Sequence, residues 1–470
     1  ELQTYLILAY LLVILGVGLW ATRFVKTSED FLLAGRRLGW VLATAALAAT
    51  HFGGGFVIGT GAWAYEYGFS GIAYALGVGF SLLVLALVAA GRMRRLGLMT
   101  VPDYLAHRYQ SNLLRMMGAG LSLAAIIGIL GAQVWASQGA LSLLGFDPTT
   151  AAIVASCGFI LYTMASGLWG ATLTDVVQLA VIFIGIPLVA WGGIEAVGGL
   201  SGLEESISAS SADLPSSYGS WFGEDPMLLV FAVLPTVMYT LIGQDFYQRL
   251  FAARSDRVAV GAAVMAGLLL MAYAAFPALT GMTARVLFGD GIEPSQAVAR
   301  VVMEVMGVWG GALVLGAIIA AILSTADSLL IAGTAHVTHD ILEEGLGMSW
   351  SMKQSLWISR LVTAGIGVFV LILALGVQAI IELLLLSYTM YAAGIFIPVV
   401  LGLYWSGGRR EGAIAGVISG ALTAVLLSLG VVSAGQWAPI VVGSIVSLVF
   451  YVGVSVLATA TGQQSNISHE

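Results

Sequence analysis

Long apolar runs separated by short polar segments dominate the pattern of this chain. Runs long enough to cross a ~30 Å hydrocarbon layer as helices occur thirteen times. They lie near residues 4–22, 40–65, 71–90, 116–139, 150–167, 171–194, 227–248, 258–282, 310–333, 356–376, 382–405, 412–431 and 437–459. The pattern therefore predicts an all-α polytopic membrane protein with thirteen transmembrane helices.

One of these runs is interrupted near its middle by Gly53, Gly54 and Gly55, inside the segment from Ala49 to Val57. Three adjacent glycines favour a break in the helix, because each is about 1 kcal/mol worse than alanine in a helix interior. Irregular backbone at membrane depth survives where it is buried in protein or lines a wet cavity. The segment is thus expected to line a site, although a small-residue seam between close helices is an alternative.

A polar external loop over residues 196–226 divides the remaining helices into two sets of five, 40–195 and 227–405. Five helices per half invert the second half relative to the first, which is the topology of an inverted-repeat transporter. Residues 1–39 and 406–470 flank this core. The first helix of the second half also contains breakers, Pro235 and the stretch from Tyr239 to Asp245, so we expect two interrupted helices at matching positions.

The segment from Ala321 to Ser328 carries a second polar feature within an apolar helix. At 100° per residue, Ser324, Thr325, Asp327 and Ser328 fall on one arc of about 160°. Their hydroxyl and carboxylate oxygens, with the Ala321 carbonyl if the helix loosens, suit a small hard cation. Hydrogen bonding of the hydroxyls to neighbouring helices is the alternative.

Other polar residues lie within or beside membrane helices. Asp175, one turn inside its helix, must be paired, protonated or bound to a cation. Gln133 and Trp135 either face a cavity or pack against a neighbouring helix. Tyr388 and Tyr391 share one helix face, where aromatic rings cover a solute or fill the core. A further set has helical spacing that could hold a metal, but its position at a cytosolic helix end favours solvated side chains: His336, His339, Asp340 and Glu343.

Composition and charge narrow the function. A chain of 470 residues with 59% hydrophobic and 9% charged residues is not a water-soluble globular protein. An external amino terminus places 16 of the 18 Lys and Arg residues in inner loops, Arg249 among them, and leaves Arg285 and Arg300 outside. The positive-inside rule therefore predicts a cytoplasmic carboxyl terminus, in the inner membrane of the cell. The acidic external loop argues against nucleic-acid partners.

These features together resemble the sodium:solute symporter family over roughly residues 30–450, and within it most closely the high-affinity choline transporter branch. The resemblance rests on motifs in the family's order: Ala49 to Gly59, Gly167 to Gln178, Gln248-Arg249, Ser324 to Ser328, and Pro398 to Gly420. It implies a LeuT-type core of ten helices, with one helix before it and two after.

The resemblance also implies sites. The main sodium ion would bind the carbonyls of Ala49, Phe52 and Ala321 and the hydroxyls of Ser324 and Thr325. Some relatives hold a second sodium at positions that correspond to Asp175, Ser324, Thr325 and Ser328. In this chain Asp327 replaces one hydroxyl of that set. The group formed by Asp175, Asp327 and Ser328 could therefore bind a second sodium ion, bind a proton, or serve as a fixed pattern of charges.

The solute is expected beside the break, but its identity is open. His51 and Gly243 stand where the choline branch has aromatic residues, so its aromatic cage is not reproduced. A neutral amino acid, a monocarboxylate, a betaine or another small polar solute fits this pattern. The candidate solute residues are His51, Phe52, Gly53, Gly54, Gly55, Gln133, Trp135, Tyr239, Gly243, Gln244, Tyr388 and Tyr391.

We therefore predict a sodium-coupled secondary active symporter that imports a small polar organic solute by alternating access, with Na+ as its cofactor. The partners are the solute, the sodium ion and the lipid bilayer; the sequence does not predict the oligomeric state. Proton coupling through Asp175, Asp327 or His51 is the main alternative, followed by a transporter-like membrane sensor or a channel. No set of nucleophile, base and orienting residue supports an enzyme.

Overall fold

The computed structural model describes residues 2–53, 55–142, 145–209, 214–215, 217–221, 226–376, 380–433, 435 and 437–460. These residues form twenty α-helices joined by short connections, turns of 3₁₀-helix and three π-helical segments, Gly55–Gly59, Ala86–Ala90 and His336–Glu343. The α-helices are α1 (Leu2–Trp20), α2 (Ser28–Leu33), α3 (Trp40–His51), α4 (Thr60–Tyr67), α5 (Ile72–Leu85), α6 (Gly91–Arg95), α7 (Val101–Tyr109), α8 (Asn112–Ser142), α9 (Pro148–Ala196), α10 (Gly199–Ala209), α11 (Pro226–Thr240), α12 (Gln244–Ala252), α13 (Asp256–Tyr273), α14 (Ala275–Phe288), α15 (Ala297–Val305), α16 (Val308–Ala335), α17 (Met352–Gly376), α18 (Ile380–Val400), α19 (Arg410–Ser428) and α20 (Pro439–Ala460).

Ten helical segments of the described residues are long and apolar enough to cross a membrane, which confirms the predicted fold class. Two of them, Gly55–Arg95 with 41 residues and Pro148–Ala196 with 49, are long enough for two passes of ~20 residues each. Each bends at a glycine with positive φ, Gly68 at +64° and Gly167 at +54°, where a neighbouring backbone carbonyl leaves no space for a Cβ atom. The count of thirteen passes stays a prediction.

Helix α16 lies at the centre of the protein. Its most apolar 18-residue stretch is completely buried, and it packs against α9, α8, α1 and α3. A helix that is apolar on all sides is stable in such a position, because every face meets another helix. The polar residues of α16 are therefore enclosed by protein rather than by lipid.

Both predicted helix interruptions are present. Helix α3 ends at His51, and Phe52 follows with φ −72° and ψ 28°, outside helical geometry. Helix α11 ends at Thr240 and α12 begins at Gln244, so the second break falls at 241–243. Pro235, predicted as a breaker, lies inside α11. Gly54 of the first break lies outside the described residues.

Candidate functional site

Oxygen atoms from α3 and α16 converge where α3 ends. The hydroxyl of Ser324 is 3.0 Å from the Ala49 carbonyl oxygen and 3.1 Å from that of Ala321. The hydroxyl of Thr325 is 3.2 Å from the Thr50 carbonyl oxygen and 3.1 Å from that of Ala321. Both hydroxyl-bearing residues are buried. Four of the five residues predicted to bind sodium are thus brought together, and Thr50 adds a carbonyl that the sequence did not single out.

The cluster has more oxygen atoms than protons to share among them. Each hydroxyl has one proton and reaches two carbonyls, so it can donate to only one of them at a time. Carbonyl and hydroxyl oxygens without competing nitrogen or sulfur atoms are the donors that a hard cation prefers. The donor chemistry therefore fits an alkali ion.

The break also removes the regular helical donor of the Phe52 carbonyl, the fifth predicted ligand. In a continuous helix the N–H of Phe56 would donate to this carbonyl. It donates to the Gly53 carbonyl instead, at 3.0 Å. The Phe52 N–H itself donates to Ala48 at 2.9 Å and completes α3.

A buried arginine holds the helices around this cluster. Arg249 was assigned to an inner loop by its charge; this is wrong, because α12 places it in the core with no exposed surface. Its Nε donates to the Ala46 carbonyl of α3 at 3.2 Å, and Nη1 donates to the backbone carbonyl of Asp245 at 2.9 Å. Its Nη2 donates to the Ser328 hydroxyl and lies 3.7 Å from the Asp175 carboxylate. One guanidinium thus joins α3, α9, α12 and α16.

The second predicted cation set lies beside Arg249. Asp327 accepts a hydrogen bond from the Tyr162 hydroxyl at 2.8 Å, and the Ser328 hydroxyl is 3.3 Å from its other oxygen. Both carboxylate oxygens of Asp175 are buried and have no hydrogen-bond partner in the described part of the chain. Two carboxylates therefore face one guanidinium, which leaves one negative charge for a further cation or a proton to balance.

A cavity of about 1430 Å³ adjoins the oxygen cluster, which it meets at Thr50 and Thr325. It extends to the segment from Ser295 to Glu304. Seven of the predicted solute residues line it: His51, Gly53, Gly55, Gln133, Trp135, Tyr239 and Tyr388. The region of the first break is therefore the wall of a large cavity, as the glycine triplet indicated.

Four predicted solute residues are not among those that line this cavity. Phe52 is fully buried, and its ring packs on Phe56 at a centroid distance of 4.7 Å. The Tyr391 hydroxyl donates to the Ile242 carbonyl at 2.6 Å, because the second break leaves that carbonyl without a helical partner.

The other two residues, Gln244 and Gly243, lie at the start of α12. The Gln244 side chain accepts from the Val101 N–H at 2.9 Å and donates to the Met99 carbonyl at 3.1 Å, so it holds the start of α7. Gly243 is closely surrounded by neighbouring side chains, so that an added Cβ would lie 2.7 Å from the Asp245 Oδ1 atom.

The cavity wall includes residues that the sequence analysis missed, among them Trp63, Tyr74, Thr236, Asp245 and Phe246. Asp245 was noted only as the end of a helix-breaking stretch, and Phe246 was not noted. A signal was available, because an acidic residue directly after a membrane helix break is costly unless it has a function or a partner. The aromatic residues carry no such signal, since apolar cores are rich in them.

A polar cluster lies at the carboxyl end of α16. The prediction of solvated side chains is wrong for His336 and Asp340, which are fully buried and 2.7 Å apart. His339 pairs with Asp103 of α7 at 2.8 Å, and Arg115 pairs with the same carboxylate at 3.0 Å. Asp103, His339 and Asp340 lie close enough to share a metal, but protein partners already satisfy these groups.

Two interrupted helices whose end carbonyls accept bonds from side-chain hydroxyls, beside a large cavity lined by aromatic residues, define a class of protein. These are the secondary transporters built on broken helices. Residues 31–420 match the Sodium:solute symporter family, and the chain belongs to that family. It is a sodium-coupled symporter for a small solute, embedded in the membrane with sodium as its coupling ion, and not an enzyme.

Individual relatives agree with this assignment. High-affinity choline transporter 1 of Caenorhabditis elegans is 26% identical over 453 residues, which cover 88% of this chain and 76% of that protein. The sodium/pantothenate symporter of Escherichia coli strain K12 is 28% identical over 467 residues and 95% of each chain. A solved structure of a Na+-coupled sialic acid symporter, in a substrate-bound outward-open state, matches with a TM-score of 0.86 at 20% identity. The match covers 97% of this chain and 98% of that one, so the two share the LeuT-type fold.

Proposed function

We propose that the oxygen atoms of Ala49, Phe52, Ala321, Ser324 and Thr325 bind the coupling sodium ion. The observation that carries this proposal is the approach of the Ser324 hydroxyl to within 3.0 Å of the Ala49 carbonyl, across the interface of α3 and α16. An ion held there would tie the broken helix to α16 and stabilise the conformation in which the cavity is formed. Solute binding to that conformation would then be linked to sodium binding.

The cavity beside the ion is the proposed solute site, and alternating access is the proposed mechanism. The positive-inside prediction puts the segment from Ser295 to Glu304, where the cavity extends, on the outer side of the inner membrane. The amino terminus would then be external and the carboxyl terminus cytoplasmic. Each sodium ion that moves inward gains about 2.3 kcal/mol per 100 mV of membrane potential, which drives import of the solute.

The proposed repeats are residues 40–195 and 227–405, separated by the external loop 196–226 and flanked by 1–39 and 406–470. The interruptions after His51 and after Thr240 support this division, because each lies in the first helix of its half. Such paired interruptions are the expected position of ion and substrate sites in inverted-repeat transporters.

Asp175, Asp327 and Ser328 are proposed as a second site, for a cation or a proton. Two observations support this assignment: the Asp175 oxygens accept no hydrogen bond from the described residues, and the carboxylates outnumber the guanidinium of Arg249 by one. A thermal-shift screen of small solutes in NaCl and in KCl would identify a substrate, because a solute that binds the folded protein raises its melting temperature. Uptake of that solute into liposomes is then measured under a sodium gradient and under a pH gradient. The comparison separates sodium coupling from proton coupling through these aspartates or His51.

The sodium site itself can be tested without a known solute. Purified full-length protein should melt at a higher temperature in NaCl than in KCl, because an ion that binds only the folded state stabilises it. Ser324→Ala should weaken this effect about tenfold or more in sodium concentration, since a hydrogen-bonding group facing a charge contributes about 1.5–3 kcal/mol.

Thr334→Ala is the matched control for Ser324→Ala, because its hydroxyl is also buried in α16 and donates to the Leu330 carbonyl. It should leave the sodium response unchanged. Equal melting in the two salts, or equal effects of the two variants, would refute the assignment.

A further inference from the structure

Asp245 is a buried carboxylate for which the ion sites give no role. It is 3% exposed, and it lines the cavity at the first turn of α12. Its Oδ1 accepts a hydrogen bond from the Tyr239 hydroxyl at 3.3 Å. A carboxylate in a membrane helix needs a positive partner or a proton, because burial of an isolated charge is costly.

The buried guanidinium does not supply that partner. Arg249 lies one turn further along α12, but it donates to the backbone carbonyl of Asp245. Its charge lies instead toward Asp175 and Ser328. In the described ranges, no Lys, Arg or His nitrogen lies within 4.0 Å of the Asp245 carboxylate. A cation that balances the ionised Asp245 would therefore come from the cavity; without one, the carboxyl group would hold a proton.

Aromatic rings surround the carboxylate on the cavity wall. Tyr239 stacks on Tyr388 with ring centroids 5.1 Å apart, and Phe246 stacks on His51 at 4.1 Å. All four rings line the cavity. The face of an aromatic ring attracts a cation, and a carboxylate accepts charge-assisted hydrogen bonds from an ammonium group. This combination recognises an organic cation better than it recognises a neutral or anionic solute.

Gly243 makes room for this arrangement. An added Cβ would lie 2.7 Å from the Asp245 Oδ1 atom and 3.0 Å from the ring of Tyr239. Its φ of −65° is open to any residue, so the backbone conformation does not require glycine here. Glycine is required because Asp245 and Tyr239 lie so close to this position that a side chain would push the carboxylate and its tyrosine partner apart.

We propose that Asp245 binds the positively charged nitrogen of the transported solute, so that the substrate class is a small organic ammonium compound. This inference rests on the proposed solute site in the same cavity. Tyr239 positions the carboxylate, and the rings of Tyr388, Phe246 and His51 contact the alkyl part or the charge of the ligand. Sodium and solute would then bind at separate sites, and Asp245 would contact only the solute.

The test uses purified full-length protein and four small hydroxyl-bearing probes: ethanolamine and choline as ammonium compounds, ethylene glycol as a neutral one and glycolate as an anion. In NaCl, an ammonium probe should raise the melting temperature, whereas ethylene glycol and glycolate should not. Asp245→Asn should weaken the response to the ammonium probe about tenfold or more, as expected for loss of a charge-assisted contact. Asp245→Glu, which keeps the charge, should retain part of the response.

The sodium response without any probe distinguishes this inference from the proposed ion site. It should persist in Asp245→Asn, which also shows that the variant is folded, and it should weaken in Ser324→Ala. Asp256→Asn, which removes a half-exposed carboxylate paired with Arg95, is the control for a general change in charge.

Three outcomes would overturn the inference while sodium still stabilises the protein. These are stabilisation by ethylene glycol or glycolate that equals or exceeds that by the ammonium probes, no stabilisation by either ammonium probe, or an unchanged ammonium response in Asp245→Asn. Absence of the sodium response in the unmodified protein would instead refute the proposed ion site.

Discussion

Replacing Gly53 with alanine should weaken sodium binding although Gly53 is not itself a proposed ligand. A Cβ atom at this position would lie 2.6 Å from the Thr325 hydroxyl oxygen, closer than atoms can approach. The hydroxyl would have to turn away from the carbonyls of Thr50 and Ala321, which it reaches at 3.2 and 3.1 Å. Loss of one ligand to a charged partner costs about 1.5–3 kcal/mol, which corresponds to about a 10- to 100-fold higher sodium concentration for half-saturation.

A sodium titration of the melting temperature measures this change, because stabilisation by a bound ion depends on its concentration relative to its dissociation constant. Gly59→Ala is the matched control on the same interrupted segment. Its added Cβ would meet its nearest neighbour, the Tyr74 ring, at an ordinary distance of 3.8 Å. We therefore expect the control to titrate like the unmodified protein.

A double variant tests whether the effect passes through the hydroxyl. Thr325→Ala removes the oxygen and leaves Cβ, which an alanine at Gly53 would approach at an ordinary 3.5 Å. The combination Gly53→Ala/Thr325→Ala should therefore bind sodium as Thr325→Ala alone does, with a coupling energy as large as the Gly53→Ala effect. Additive losses, or equal behaviour of Gly53→Ala and the Gly59→Ala control, would refute this reasoning.

Three further predictions concern stability. Arg249→Gln removes the guanidinium that faces the buried Asp175 carboxylate, so we expect a loss of about 3–5 kcal/mol in detergent melting, with partial recovery when Asp175→Asn is added. Equal losses in the single and double variants would contradict this pairing. Burial alone would raise the pKa of Asp103. Hydrogen bonds from His339 and from the Met99 backbone N–H, together with the charge of Arg115, hold this pKa below its ordinary value. The stabilisation by the Asp103 carboxylate is therefore complete above the unfolded-state pKa of about 4 and is lost as the pH falls through the lower folded-state pKa. Melting curves in acid should show this loss in the unmodified protein and a smaller one in Asp103→Asn; parallel curves would show that another group is responsible. Gly167→Ala places a side chain at positive φ against a backbone carbonyl and should cost about 2 kcal/mol or more. Gly158→Ala, in open space on the same helix, should stabilise the protein by up to about 1 kcal/mol, and similar melting of both variants would refute the steric argument.

The oxygen cluster could be predicted because its determinants are local in sequence. Three adjacent glycines weaken one helix, and the spacing of Ser324 and Thr325 puts both hydroxyls on one side of another. The pairing of these two helices is a long-range contact, however, and only the family resemblance indicated it. The structure places the Ser324 and Ala49 oxygens 3.0 Å apart.

The roles of the residues after the second break could not be predicted from hydropathy. Helix α12 contains Gln244, Asp245, Gln248 and Arg249, and such a sequence is typical of a polar loop at the membrane surface. In the structure all four are buried. Gln244, Gln248 and Arg249 have hydrogen-bond partners on α7, α2, α3 and α16, in distant parts of the chain. His336 and Asp340 were misjudged for the same reason. The partners of a buried polar residue are set by tertiary packing, which a single sequence does not encode locally.

The geometry of α12 offers a physical route by which the ion site could influence the solute site. Arg249 contacts the Ala46 carbonyl of α3 and Ser328 of α16, the two helices that carry the proposed sodium ligands. It also donates to the backbone carbonyl of Asp245, one turn away on α12. Sodium that draws α3 and α16 together would fix the position of Arg249, and through it the first turn of α12 and the Asp245 carboxylate. On this view the coupling between ion and solute depends on one rigid helical turn, because its two ends contact the two sites.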